Sequence, residues 1–213
     1  MASSLDIERL LSERVKEIET SGIRRAWALA QACEDPVNLS IGQPDFPVHD
    51  AIKQAAIDAI LEDKNGYTQT AGDAALLASI HTRLHGQYGW DFSGDSHLQA
   101  MVTSGTAGAL TLACLTVLGP GDEIIIPDPY FVIYPTLARI AEAKAVLCDT
   151  YPDFRMTAER IERCITDKTK AVLLNSPANP TGVVLNAQEV ADIVTLCKDR
   201  NILLITDEIY DEF

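Results

Sequence analysis

The sequence predicts an α/β fold, a mostly parallel sheet with helices on both faces, and three observations carry that prediction. From residue 101 onward, short apolar runs at 101–103, 123–126, 145–148, 171–174 and 202–206 alternate with stretches of helical spacing. The clearest helical stretch sets Ala107, Leu110, Thr111, Cys114, Leu115 and Leu118 on one stripe. Breakers such as Gly119-Pro120-Gly121 end that stretch before the next run.

The chain has 213 residues, 47% hydrophobic and 23% charged, with 17 Lys and Arg against 31 Asp and Glu, a net charge of −14. That balance argues against a nucleic-acid or anionic-membrane surface, which needs clustered basic residues. No apolar run approaches the roughly 20 residues that cross a bilayer, and the amino terminus lacks a basic-then-apolar leader pattern, so the chain reads as cytoplasmic. Its cysteines, Cys33, Cys114, Cys148, Cys164 and Cys197, are odd in number and widely spaced, and read as buried free thiols.

Taken in order, residues 3–20 read as an amphipathic helix through Leu5, Leu11, Val15 and Ile18, capped by Ser3 or Ser4 and ended by Ser21-Gly22. Asp6, Glu8, Glu13, Glu17 and Glu19 give it a solvated or dimer-forming acidic face. A short helical stretch through Trp27 and Leu29 runs to Asp35-Pro36, and an extended segment at 37–41 leads into the turn chemistry of 42–47, the best boundary in the chain. Ile52, Ala56, Ala59 and Ile60 mark a helix closed by Asn65-Gly66, and Leu76, Leu77, Ile80 and Leu84 mark another. Before the last apolar run, Asn186 and Glu189 form a capping-box variant ahead of Val190, Ile193, Val194 and Cys197. His81 and His85 share one helix face, yet without a metalloprotease glutamate they read as solvated histidines, and no metal is assigned.

In open parallel sheets, ligands bind beyond the carboxyl ends of the strands, so the turns there carry the chemistry. Ser104-Gly105-Thr106-Ala107-Gly108 presents backbone N–H groups and a helix dipole suited to a phosphate. Tyr130-Phe131 follows the second run and offers an aromatic face. Asn175-Ser176-Pro177-Ala178-Asn179-Pro180-Thr181-Gly182 is a rigid turn with a plausible cis Asn-Pro bond and a donor amide at Asn179. Asp207, ending the last run, is a carboxylate that needs a cation or donors, and Tyr210 adds a phenol. A plain strand-to-helix turn explains the first feature alone, and core packing explains the aromatic pair. A nucleotide-binding domain would need a Gly-x-Gly-x-x-Gly turn that 104–108 does not provide.

Together those turns suit pyridoxal phosphate, and the chain resembles the class I and II aminotransferases, fold-type I pyridoxal-phosphate enzymes of the aspartate and aromatic branch. The matching segments are 41–46, Gly66-Tyr67-Thr68 with Gly72, 104–110, 119–123, 128–134, 176–182 and Asp207-Glu208-Ile209-Tyr210. Leu77 departs from the pattern, where relatives commonly carry Arg. The resemblance implies the large domain of that fold, truncated, with residues 1–45 an amino-terminal arm and the start of a small domain, and 46–213 an incomplete cofactor-binding domain. It further implies that Gly105, Thr106 and Ala107 hold the phosphate and that Phe131, rather than Tyr130, lies on the pyridine ring. By the same resemblance Asn179 and Tyr210 bond the ring oxygen, and Asp207 keeps the ring nitrogen protonated. Tyr67 would reach the phosphate of a partner subunit in a homodimer, and Gly42 would lie by the substrate carboxylate. The implied activity is amino transfer between an amino acid and a 2-oxo acid; decarboxylases and carbon–sulfur lyases share the scaffold. The alternative is a non-catalytic cofactor-binding or dimerising module of the same fold.

The family's Schiff-base lysine follows the Asp-x-x-Tyr segment by a few tens of residues, beyond Phe213. Lys16, Lys53, Lys64, Lys144, Lys168, Lys170 and Lys198 all read as helix or connecting-turn residues, so no catalytic residue is assigned and the 213 residues alone are expected to be inactive. In the family, later strands lie between the runs at 101–103 and 171–174. The isolated 213-residue chain is therefore expected to fold poorly or aggregate through unpaired strand edges. Cooperative thermal unfolding of the purified, soluble chain is the observation that would defeat this expectation.

Overall fold

A computed structural model of the protein describes residues 6–16, 18, 22, 26, 29–35, 37, 44–94 and 96–212. Its elements, in chain order, begin with a 3-10 turn at Glu8–Leu10 and α1 (Glu13–Lys16), followed by α2 (Asp50–Leu61), α3 (Ala74–Tyr88) and α4 (Gly105–Val117). Then come β1 (Glu123–Asp128), α5 (Tyr134–Ile140), β2 (Lys144–Asp149), α6 (Ala158–Glu162), β3 (Thr169–Asn175), α7 (Ala187–Asp199) and β4 (Leu203–Asp207). The chain divides into two compact units, one of Met1–Glu19 with Ser104–Phe213 and one of Thr20–Thr103.

The first unit holds a four-stranded sheet of order β2-β1-β3-β4, parallel at every pairing. Side chains alternate across a strand, and both sets of β1 and β3 are apolar, so the sheet buries two faces. Ile124, Ile126, Ala171 and Leu173 pack with Leu110 and Cys114 of α4 and with Tyr134, Leu137 and Ala138 of α5. On the other face Ile125, Val172 and Leu174 pack with Ile161 of α6 and with Ile193 and Cys197 of α7. Ile125 has no exposed surface, a burial that stabilises by about 1.5–3 kcal/mol against an exposed side chain. Strand order reverses at β1, which pairs β2 along its whole length but β3 only through Ile125. Pro127 has no N–H to extend the ladder, so the carboxyl ends of β1 and β3 are not tied together.

The second unit is built on α2 and α3. Asp73 caps α3, its carboxylate accepting from the amides of Ala75 and Leu76, and Gly89 closes it in the left-handed region. Gly72 has φ +126° and would bring a Cβ to 2.8 Å of the Val102 side chain, so only glycine fits. His81 stacks on Phe92 at 4.2 Å, and the His85 ring contacts the Trp90 carbonyl oxygen at 2.9 Å.

Several sequence expectations are corrected. The run at 101–103 is extended but is no strand: Val102 donates to the Ala71 carbonyl, and no strand among the described residues offers it a ladder. The helix expected at 3–20 is broken where Leu11 turns extended, and the chain restarts at Ser12, whose carbonyl accepts from Lys16. Ser12 before Glu13 is itself a helix-start signal. Ser3, Ser4, Leu5 and Trp27 lie outside the described residues. Helix α2 closes before Asn65-Gly66, because Asp63 takes the left-handed conformation while its N–H bonds Ile60 and that of Lys64 bonds Ala59. That pair of bonds is a Schellman motif, and aspartate tolerates the conformation. Cys33 is exposed and Cys164 half-buried, whereas Cys114, Cys148 and Cys197 are buried free thiols. Burial pushes the Cys148 thiol up to about 12. Lys144 and Lys170 are strand residues, at the amino ends of β2 and β3, the ends away from the candidate site.

The expected capping box is present: Asn186 accepts from the Glu189 amide, and Glu189 accepts from that of Asn186. Glu189 also accepts from Nε and Nη2 of the Arg155 guanidinium, joining the 151–157 loop to α7. The Arg155 bonds, then the Asn186 amide, lower the Glu189 carboxyl to about 2. A depressed carboxyl stabilises the fold fully above its unfolded range and loses that contribution as pH falls toward the folded value. The melting-temperature gap between the protein and Glu189→Gln should stay constant from neutral pH down to about pH 5 and shrink by about pH 2. A gap unchanged by acid would overturn this account.

Candidate functional site

The carboxyl ends of β3 and β4, the connection that follows β1 and the amino ends of α4 and α5 enclose a cavity of about 210 Å³ lined mainly by apolar surface. That is below the ~300 Å³ at which drug-sized sites begin, and suits one small aromatic molecule. Thr106 and Ala107 come from α4, Phe131 from the β1-to-α5 connection, Tyr134 from the start of α5, Asn175 and Asn179 from the end of β3 and the turn after it, and Asp207 and Tyr210 from the end of β4 and the segment after it.

Alternation explains why these residues meet. Asn175 and Asp207 keep the parity of Leu173 and Ile205, which pack on the α4 and α5 side, so both polar residues face those helices. Asp207 is 4% exposed, and no Lys or Arg among the described residues pairs with it. Instead the buried Tyr134 hydroxyl donates to its Oδ2 at 2.9 Å and the Ile209 amide donates to Oδ1 at 3.3 Å. Burial first, and the Asp207 bond second, hold the Tyr134 phenol far above its ordinary range, so it remains a donor at every working pH.

Opposite, α4 starts at Gly105, whose φ of +67° lies in the left-handed region that favours glycine. Its N-cap Ser104 makes no side-chain capping bond, unlike Asp73 and Asn186 at their helices. The amides of Thr106 and Ala107, in a first turn with no helical acceptors, are therefore not consumed by a cap. Phe131 stands edge-on to Tyr134, with ring centroids 5.7 Å apart. The Asn179 side-chain amide donates to the Tyr210 hydroxyl at 3.3 Å. Its peptide bond to Pro180 is cis, as is that between Ser176 and Pro177.

Thr106, Ala107, Phe131, Asn179, Asp207 and Tyr210 thus line one cavity, with Gly105 next to it in the chain. Tyr130 instead lines a separate cleft with Arg14, Arg139 and Lys144. Tyr67 belongs to the second unit, where it is fully exposed, and Gly42 lies outside the described residues. Sequence reasoning missed Tyr134 and Asn175 as site residues. Their signal was present, since each stands within or next to a segment already singled out, but neither has a local pattern distinguishing a site residue from a core one. Among the described residues no lysine lines the cavity. Among the described residues no group of three His, Cys, Asp or Glu is placed to hold a metal, and no helix is long and apolar enough to cross a membrane.

The donor set tests well against a flat, anionic heteroaromatic cofactor. Helix amides suit a phosphate, the Phe131 ring suits a planar face, Asn179 and Tyr210 suit an oxygen, and a buried carboxylate without a cation suits a protonated ring nitrogen. Fold and cavity together define an α/β protein of the kind that carries a cavity at the carboxyl edge of a parallel sheet. The sequence profile of the family described as aminotransferase class I and II matches residues 34–213. The chain belongs to that family.

It is 40% identical over 207 residues to the Bacillus subtilis protein named "Probable N-acetyl-LL-diaminopimelate aminotransferase", covering 97% of this chain and 52% of that one. To the aspartate aminotransferase of Thermotoga maritima it is 36% identical over 208 residues, covering 95% and 54%. The crystal structure of the Thermotoga maritima aspartate aminotransferase matches with a TM-score of 0.88 at 36% identity, over 94% of this chain and 54% of that one. The Rhizobium meliloti aspartate aminotransferase structure matches with a TM-score of 0.86 at 34% identity, over 94% and 51%. The chain spans about half the length of the curated relatives it matches.

Removing the Tyr134 hydroxyl leaves a buried carboxylate short of its closest donor, which costs about 1–3 kcal/mol. Tyr134→Phe should lower the free energy of unfolding by that amount, read as a lower urea midpoint with an unchanged slope. An unchanged midpoint means that the bond contributes nothing.

Proposed function

We propose that this chain supplies the cofactor-binding part of a pyridoxal-phosphate-dependent aminotransferase that moves an amino group between an amino acid and a 2-oxo acid. The observation that carries the proposal is Asp207: a carboxylate buried at the wall of an aromatic-sided cavity, paired with no cation among the described residues. Such a group favours a ligand that brings its own positive charge, and a protonated pyridine ring does so. Bound pyridoxal phosphate supplies an electron-accepting ring for the substrate's α carbon.

The protein's residues bind and orient. On this reading the amides of Gly105, Thr106 and Ala107 hold the phosphate at the start of α4, where the helix dipole adds to their attraction. Phe131 covers one ring face and excludes water from it. Asn179 and Tyr210 bond the ring oxygen, and Asp207 holds the proton on the ring nitrogen. Gly42 lies by the substrate carboxylate, and Tyr67 reaches the phosphate of a second subunit, which makes the assembly a homodimer. The organisation is a 1–45 arm with the start of a small domain, then a cofactor-binding domain from residue 46, in a cytoplasmic enzyme. The family's aminotransferase names and the cavity's donor set support this reading.

Titration with pyridoxal phosphate, followed by its absorbance and by quenching of protein fluorescence, should saturate. Asp207→Asn exchanges a charge-assisted bond worth about 1.5–3 kcal/mol for a neutral one, so binding should weaken roughly tenfold or more. The proposal fails if binding does not saturate, or if Asp207→Asn binds as well as the unaltered protein.

A further inference from the structure

We infer that Asn175 is a positioning residue that sets Asn179 and Asp207, the two groups proposed to hold the ring oxygen and the ring nitrogen of the cofactor, at their working separation. The inference rests on the cofactor reading above. Asn175 is the last residue of β3 and 6% exposed. Its side-chain amide makes three bonds to two segments, the 176–182 turn and the end of β4. Nδ2 donates to the Asp207 carbonyl oxygen at 2.9 Å and to the Pro177 carbonyl oxygen at 3.1 Å, while Oδ1 accepts from the Asn179 backbone amide at 2.7 Å.

Both amide hydrogens and one lone pair of the acceptor are thereby used, all on backbone groups at the site's rim. None of these bonds belongs to the sheet ladder. The ladder fixes Asn175 opposite Asp207 and ends there. Beyond it, the turn carrying Asn179 leaves one strand and the segment carrying Tyr210 leaves the other. The Asn175 side chain bridges both departures. A rigid flat ligand bonded at two points tolerates errors of only about 0.5 Å in the groups that hold it. The residue that fixes the two backbones relative to each other therefore controls affinity and ring orientation without touching the ring.

Two variants separate the arms on the full chain. Asn175→Asp keeps the acceptor for Asn179 but sets an acceptor against the Asp207 and Pro177 carbonyls; Asn175→Ala loses every tether. In the cofactor-free protein, hydrogen exchange at the Asn179 amide should accelerate in Asn175→Ala and much less in Asn175→Asp. Both variants should bind pyridoxal phosphate at least tenfold more weakly and alter the visible circular dichroism of the bound cofactor. In an Asn179→Ala background the affinity loss from Asn175→Ala should shrink to less than half its number of decades, because the two act through one path. Equal fold-losses in both backgrounds, or a lowered melting temperature with unchanged affinity and dichroism, would show a purely structural asparagine and overturn the inference. If Asn175→Ala does not fold, Asn175→Asp alone decides it by affinity and dichroism. Absence of saturable binding by the unaltered protein would bring down the cofactor reading, and this inference with it; normal binding by both variants would bring down this inference alone.

Discussion

Burying both faces of a parallel sheet leaves polar groups few places to go, and the rest of this structure follows from that constraint. β1 and β3 are apolar on both sides because α4 and α5 cover one face and α6 and α7 the other. Asparagine and aspartate are therefore pushed to the strand ends. Asn175 closes β3 and Asp207 closes β4, in register and side by side. The same packing brings the first turn of α4 and the start of α5 over those ends, so the cavity is the place where a dry sheet must satisfy its polar termini.

Asp207 sets the energetic terms of that cavity. A carboxylate taken out of water costs several kcal/mol unless donors or a cation meet it. A buried phenol that cannot ionise meets one oxygen, and a longer amide bond meets the other. Two neutral donors offset part of the cost. The remainder is best met by a positively charged group entering the cavity, which ties the local electrostatics to the proposed cofactor chemistry.

Helix starts differ in how their first amides are met. Asp73 and Asn186 satisfy the first amides of α3 and α7 with their own side chains. Those starts are closed, and that of α7 is braced further by Arg155 through Glu189. Ser104 leaves its helix uncapped by a side chain at the cavity wall.

The sequence by itself determined the alternation of strands and helices, the two-faced burial, the capping box and the identity of most groups around the cavity. These are local properties, since period, cap residue and turn residue are read within a few positions of one another. It misread 101–103, because an extended run becomes a strand only when a partner strand supplies hydrogen bonds. It also misread the closure of α2, because Asp63 and Asn65-Gly66 are both acceptable turn chemistry locally. Tertiary structure alone decided that Tyr134 serves Asp207 and that Asn175 ties Asn179 to the end of β4. The first contact spans 73 positions and the second links strands separated by a whole helix. No local pattern encodes such pairs; they exist because pairing β4 beside β3 and packing α5 onto one face of the sheet bring their polar atoms within bonding distance.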